Sequence, residues 1–254
     1  MFFDTHAHYD DDQFDDDRDS IIRSLPSSGV SLVLNPASNM RSSDACIALA
    51  EKYDFFYAAV GVHPHDSKDM ANDDIDHLAK MTGHENVKAI GEIGLDYHYD
   101  FSPRDIQRSR FYDQLALADK LRLPAIVHER EACADCLDII KAFPGVKGVV
   151  HCFSGSWETA KILLNLGWYI SFTGALTFKN ARHAPEVVTK MPRDRIMIET
   201  DSPYMAPVPV RGVRNDSSNL KYICAHAAEL MDMSMEDAAA LTMKNGLEFF
   251  NITL

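Results

Sequence analysis

The chain has 254 residues, 46% of them hydrophobic and 25% charged, and its 12 glycines and 11 prolines are too few for a collagen-like or disordered chain. A net charge of -13 excludes a protein that coats nucleic acid nonspecifically, since lysine and arginine drive that binding by releasing counterions, but it leaves open a nucleic-acid substrate held at a local cluster of metal and arginine. No apolar run approaches the roughly 18 residues that span a bilayer, the five scattered cysteines make no disulfide framework, and the first residues lack the basic-then-apolar pattern of a signal peptide, so a cytoplasmic protein with no membrane contact and no obligate protein partner is expected.

Short β-branched or apolar runs, each followed by a longer amphipathic segment, recur along the chain. In order, the spacing predicts strand 2–5 and helix 17–26, strand 31–34 and helix 42–53, strand 57–62 and helix 75–81, then strand 87–93 and helix 103–121. It continues with strand 124–127 and helix 132–143, strand 148–151 and helix 157–166, strand 169–173 and helix 184–191, and strand 196–200 before a helix pair at 221–231 and 235–250. Ser102 ahead of Pro103, and Ser154 and Ser156 ahead of Trp157 and Glu158, read as helix caps. Several strands are too apolar to have a solvated face, which implies a parallel sheet buried on both sides. Eight such units in this length favour an α/β protein with a (β/α)8 TIM barrel over an open sheet, and with no linker in residues 1–254 a single domain is expected.

Two local patterns carry less. Cys133 and Cys136 form a C-x-x-C with no second pair to complete a zinc site, and their spacing fits one face of a helix. The acidic run Asp10, Asp11, Asp12, Asp15, Asp16 and Asp17 lacks the glycine turn and terminal glutamate of a calcium loop, so it reads as a solvated loop leading into a helix.

The histidines are informative through position. His6 and His8 end the first predicted strand, His63 and His65 the third, Glu92 and Asp96 the fourth, His128 the fifth, His151 the sixth, and Glu199 and Asp201 the eighth. In an α/β barrel the carboxyl ends of the strands form the catalytic face, so these residues are expected to converge. His6 and His8, two apart on an extended strand, point to one side. With Glu92, His128, His151 and Asp201 they supply four imidazoles and two carboxylates, enough for two divalent ions sharing a carboxylate. Mixed nitrogen and oxygen ligands suit Zn, Mn or Co, and Mg where water completes the shell.

Those residues sit in contexts that resemble the TatD family of metal-dependent deoxyribonucleases, within the amidohydrolase-like barrel enzymes, and the match runs nearly end to end. It is carried by Asp4-Thr5-His6-Ala7-His8, Gly61-Val62-His63-Pro64-His65, Gly91-Glu92-Ile93-Gly94-Leu95-Asp96-Tyr97, Leu123-Pro124-Ala125-Ile126-Val127-His128 with Arg130, His151-Cys152-Phe153-Ser154-Gly155, and Ile198-Glu199-Thr200-Asp201-Ser202-Pro203-Tyr204. The resemblance implies a divalent-metal hydrolase of nucleic-acid phosphodiesters with 3'-5' exonuclease activity on single-stranded DNA. It implies His6, His8, Glu92 and Asp201 as ligands of one ion and Glu92, His128 and His151 as ligands of the second. The sequence departs from the family pattern after Arg214-Asn215, where Asp216-Ser217-Ser218 replaces a glutamate-proline, and Glu129 and Glu131 make the surroundings of Arg130 acidic.

The mechanism expected is attack by a metal-activated water, with Asp201 taking its proton, Glu92 shared between the metals, and His63 bonding a phosphate oxygen or protonating the leaving group. Arg130, Arg211 and Arg214 are the expected phosphate contacts, and Phe153, Tyr97 and Tyr204 are candidates for stacking on bases. Two alternatives remain at this point: a D-aminoacyl-tRNA deacylase or other metal-dependent ester or amide hydrolase on the same barrel, and a noncatalytic binding module. Barrel amidohydrolases often bridge their metals with a carbamylated lysine, whereas here Glu92 and no lysine occupies that place. A decayed site, in turn, is expected to have lost ligands.

Overall fold

The alternation read from the sequence is present strand by strand in the computed structural model, which describes residues 1–253. The elements are β1 (Phe2–Asp4), α1 (Arg18–Ser24), β2 (Val30–Pro36), α2 (Met40–Lys52), β3 (Phe56–Val60), α3 (Asp74–Met81), β4 (Val87–Asp96), α4 (Arg104–Leu121) and β5 (Ala125–Arg130). They continue with α5 (Cys133–Lys141), β6 (Gly148–Val150), α6 (Trp157–Asn165), β7 (Tyr169–Phe172), α7 (Ala184–Lys190), β8 (Ile196–Ile198), α8 (Leu220–Met231) and α9 (Met235–Phe250). The strands follow one another in chain order in one eight-stranded sheet, with no switch point. Parallel strands joined through helices in that order are the (β/α)8 barrel topology, as the sequence leads one to expect. Among the described residues no helix is long and apolar enough to cross a membrane.

The chain divides into two compact units. The first comprises Met1–Asn35, Cys152–Leu164 and Tyr169–Leu254. Here β1 pairs with β2, and β7 with β8, in parallel register. Helix α9 covers β1 closely at Gly246, where a Cβ would lie 2.7 Å from the Phe3 ring, while Phe250 packs on Phe3 with ring centroids 5.8 Å apart. The Asn245 amide, buried on the same helix, donates to the carbonyls of Arg193 and Ile196 and so fixes the start of β8. Asp4, at the end of β1, is fully buried and accepts hydrogen bonds from the Thr200 backbone N–H (2.9 Å) and hydroxyl (2.6 Å), which ties β1 to the segment leaving β8. Burial pushes its carboxyl up to about 7 against the hydrogen bonds of Ser217 and Thr200, which act to lower it.

The second unit comprises Pro36–His151 and Asn165–Trp168. Strands β3 to β6 pair in parallel succession. Two buried glutamines of α4, seven residues apart and so on one face, finish the backbone hydrogen bonding where strands end. Gln114 accepts from Val62 N–H (2.7 Å) and donates to its carbonyl (3.0 Å); Gln107 does the same for Asp96, at 2.9 and 3.1 Å. Strand β4 runs past the predicted end, through Asp96, because the ladder with β5 continues as Gly94 opposite His128, Leu95 opposite Glu129 and Asp96 opposite Arg130. That close approach requires Gly94, whose φ is +139° and whose Cβ would lie 2.0 Å from the His128 carbonyl oxygen.

Of the smaller expectations, one is overturned and two hold. Ser102 is not a helix cap: its hydroxyl donates to the His65 carbonyl (2.8 Å) and accepts from Lys68 N–H (3.1 Å), fastening two loops, and α4 begins without a side-chain cap. Ser156 does cap α6, accepting from Thr159 N–H at 3.3 Å. Cys133 and Cys136 lie within α5, as their spacing suggests.

Candidate metal centre

In the second unit, strands deliver nitrogen and oxygen donors to one carboxylate. Between Ile90 and Ile93 the register of β4 against β5 shifts, so β4 carries an extra residue there, a bulge of the kind that re-aims a side chain. Glu92 sits in this bulge, inside β4 rather than at its end, and its N–H donates to the Ala37 carbonyl at 2.9 Å. Its buried Oε1 lies 2.8 Å from His151 Nε2, 3.0 Å from His128 Nδ1 and 3.4 Å from His63 Nε2. His128 Nδ1 and His151 Nε2 are 3.2 Å apart.

The tautomers follow from the outer partners. His65 N–H donates to His63 Nδ1 at 3.2 Å, so in neutral His63 the proton sits on Nε2, directed at Glu92. Burial is the main cause that depresses His63 to about 4, with the attraction of Glu92 acting against it, which leaves the ring neutral at physiological pH. His128 turns Nε2 to Asp96 Oδ2 at 3.1 Å, and with a proton there its Nδ1 offers a lone pair on the Glu92 side. A histidine whose second nitrogen donates to a carboxylate is the arrangement that orients metal ligands. Burial acts to raise Asp96, but hydrogen bonds from His128, the Tyr99 backbone and His65 outweigh it and hold the carboxyl well below the usual range.

In the first unit, His6, Ala7 and His8 run beside the segment after β8. Asp201 N–H donates to the His6 carbonyl (2.9 Å), His8 N–H donates to the Ser202 carbonyl (2.7 Å), and Ala7 and Ser202 form an isolated parallel bridge. This pairing sets His6 Nε2 and His8 Nε2 3.0 Å apart and places Asp201 Oδ1 3.8 and 3.6 Å from them. Glu199, also buried, accepts from Cys152 N–H (2.8 Å) and the Ser171 hydroxyl (2.6 Å), and so anchors the chain just past His151.

The donor sets fit divalent ions. For bonds of about 2.1 Å, ligand atoms on one ion stand about 3.0 Å apart along an octahedral edge and about 3.4 Å along a tetrahedral one, and the separations of 2.8 to 3.8 Å found in each unit fall around those values. His63, Glu92 and His128 each offer a ligand atom within 4.8 Å of the others.

The expected substrate contacts separate. Half-buried Arg130 ends β5 in the same unit as Glu92, its guanidinium 4.8 Å over the Tyr99 ring, with no ion pair among the described residues. Arg211 is exposed and lies over Phe178 at 4.1 Å. Arg214 is occupied by Asp17 (2.6 Å), the Gln13 carbonyl and the face of Phe14, so it ties the loop after β8 to the acidic N-terminal loop. The divergent Asp216-Ser217-Ser218 stretch is held too, since Asp216 accepts from Ser218 N–H and Ser217 bonds the buried Tyr9 hydroxyl. Of the stacking candidates, Phe153 is buried, and Tyr97 bonds Asp135 with Arg104 over its ring; Tyr204 remains exposed, bonded to Asp11. Sequence reasoning placed Asp96 and His65 at strand ends but gave them no role, and it missed Tyr99 and Phe101, whose exposure no local pattern signals.

Comparison with known proteins gives concordant matches. The family model "TatD related DNase" matches residues 3–251. The metal-dependent hydrolase YabD of Bacillus subtilis is 42% identical over 254 residues, covering 99% of this chain and 100% of YabD. A Citrobacter koseri protein named 3'-5' ssDNA/RNA exonuclease TatD is 31% identical over 259 residues, covering 98% of this chain and 99% of its own. The crystal structure of YJJV, a TatD homolog from Escherichia coli K12, superposes with a TM-score of 0.93 at 30% identity, covering 99% of this chain and 98% of that one.

Proposed function

The chain belongs to the family of TatD-related DNases and is a metal-dependent hydrolase, and on that premise we propose that it is a 3'-5' exonuclease acting on single-stranded nucleic acid. The observation that carries this reading is the cluster of His63, His128 and His151 on one oxygen of Glu92, in the same unit as Arg130, which has no ion pair among the described residues. The Citrobacter relative's name supplies the substrate class. The family model spans both compact units, which supports one hydrolase domain over residues 1–254.

In this reading His6, His8, Glu92 and Asp201 hold one divalent ion and Glu92, His128 and His151 a second, with Zn, Mn, Mg or Co as the candidates. Bound ions supply two things, a lowered pKa for coordinated water and positive charge against the phosphate oxygens. Asp201 takes the proton of the attacking water. His63, neutral and with Nε2–H on the Glu92 side, donates a hydrogen bond to a phosphate oxygen or to the leaving oxygen without giving up its proton. Arg130 and Arg211 contact phosphates, and Arg214 contributes by holding the loop that carries Arg211. A cytoplasmic location fits the cysteines that form no framework.

The test is to strip the protein of metal, add single-stranded DNA labelled at either end, and restore each candidate ion in turn beside a D-aminoacyl-tRNA control. Stepwise loss of a 3' label only after metal return is the expected result. In Asp201→Asn, which tolerates the left-handed φ of 57° at this position, turnover should fall about 100-fold or more with the thermal unfolding midpoint nearly unchanged. Absence of DNA cleavage with every ion, together with release of the aminoacyl group, would move the assignment to the deacylase.

A further inference from the structure

We propose that Tyr99 and Phe101, flanked by Arg130, form a nucleobase-stacking ledge beside the Glu92 cluster, so that the enzyme recognises its substrate as a base-bearing strand and not as a bare phosphodiester. This rests on the nucleic-acid reading above and deepens it. The two rings follow β4 and are stacked, with centroids 5.2 Å apart and planes 22° from parallel. They are 48% and 56% exposed, so both present apolar surface to solvent, whereas the comparably exposed Tyr112 leans on Phe143 at 4.8 Å.

A chain of ring contacts leads from the ledge to the metal ligands. Phe101 lies 4.8 Å from His65, His65 lies 4.3 Å from His63, and His63 lies 4.6 Å from His128. A base on the ledge is therefore within reach of a phosphate at the cluster. The ledge is also rigid. Asp96 Oδ1 accepts from the N–H groups of His98 (3.0 Å) and Tyr99 (2.9 Å) while its Oδ2 faces His65 and His128, so one carboxylate holds both ledge and ligand. Lys68 Nζ donates to the Phe101 carbonyl at 3.0 Å. Preorganised aromatic faces lose little entropy when a ligand settles on them.

Charge selects the occupant. The neighbouring acids are engaged, Glu131 by His98 (2.7 Å), Asp100 by Arg104 (2.6 Å), Asp135 by Arg108 (2.6 Å) and Glu129 by Ala132 N–H (2.8 Å). Arg130, over Tyr99, has no such partner among the described residues. Aromatic faces beside a guanidinium with no ion pair among the described residues match the base and phosphate of a single strand, whose bases stack without sequence preference.

The test uses full-length protein, stripped of metal so that no strand is cut, titrated into a short fluorescein-labelled oligothymidine and into a base-free oligomer of equal length. By fluorescence anisotropy the wild type should bind the base-bearing strand about tenfold more tightly. That ratio should collapse toward one in the double variant Tyr99→Ala, Phe101→Ala and persist in Phe101→Trp. Equal binding of both oligomers by the wild type, or an undiminished ratio in the double variant, overturns the ledge. So does a double variant that changes sedimentation while keeping the ratio, which would make the patch a contact for another chain. Failure of the parent reading shows separately, as absence of cleavage when metal is restored.

Discussion

Asp96 divides its carboxylate between two tasks. Oδ2 receives His65 at 3.0 Å and His128 at 3.1 Å, while Oδ1 receives two backbone N–H groups. An asparagine has one acceptor oxygen, so either the imidazoles or the backbone would meet its NH2 group. Asp96→Asn should therefore weaken metal binding about 10- to 100-fold, since His128 loses the acceptor that sets its tautomer. The hydrogen-bond loss should cost about 1–3 kcal/mol of stability. Isothermal titration with Mn or Zn, alongside urea unfolding, separates the two effects. Unchanged affinity in a destabilised variant would reduce Asp96 to a structural carboxylate. The same residue shows where the sequence is readable. Its place at a strand tip follows from chain pattern, but its partners come from β5 and from the loop after β3, and no spacing along one segment reports them.

At the scale of elements, the β4–β5 pair positions the second-unit ligands, and Gly94 allows it. An added Cβ meets a backbone oxygen, which cannot swing aside, in a φ region that side chains avoid. Gly94→Ala should cost about 3 kcal/mol or more, combining backbone strain with overpacking. Gly167→Ala is the matched control: its φ is +82° with nothing within 4 Å of the added carbon, so only left-handed strain of about 1–2 kcal/mol remains. Equal losses in urea unfolding would mean that the approach of β4 to His128 is looser than the ladder implies. The eight strands were legible because each contains a short β-branched or apolar run, and their helices because amphipathic stretches follow. The end of β4 was not. Gly94 reads locally as a breaker, and only its pairing with His128 keeps the strand going to Asp96. The bulge that aims Glu92 was hidden for the same reason, since a register shift is a property of two strands and the sequence displays one at a time.

For the molecule as a whole, the charge of -13 and the nucleic-acid reading appear opposed, and the arginines reconcile them. Arg18, Arg104, Arg108, Arg195 and Arg214 are each paired with an aspartate. Of the three arginines expected at phosphates, that leaves Arg130 and Arg211, so about two phosphates would be neutralised by side chains. For a single strand the affinity then falls with salt at a logarithmic slope of about -1.4, or about sevenfold between 50 and 200 mM. A continuous basic track making about six contacts would lose about 300-fold over the same range. Measured as kcat/KM on single-stranded DNA with metal held saturating, the dependence should follow the shallow slope. A steep one would mean that further cationic groups contact the strand, either lysines of this chain or those of a partner that brings the strand to it.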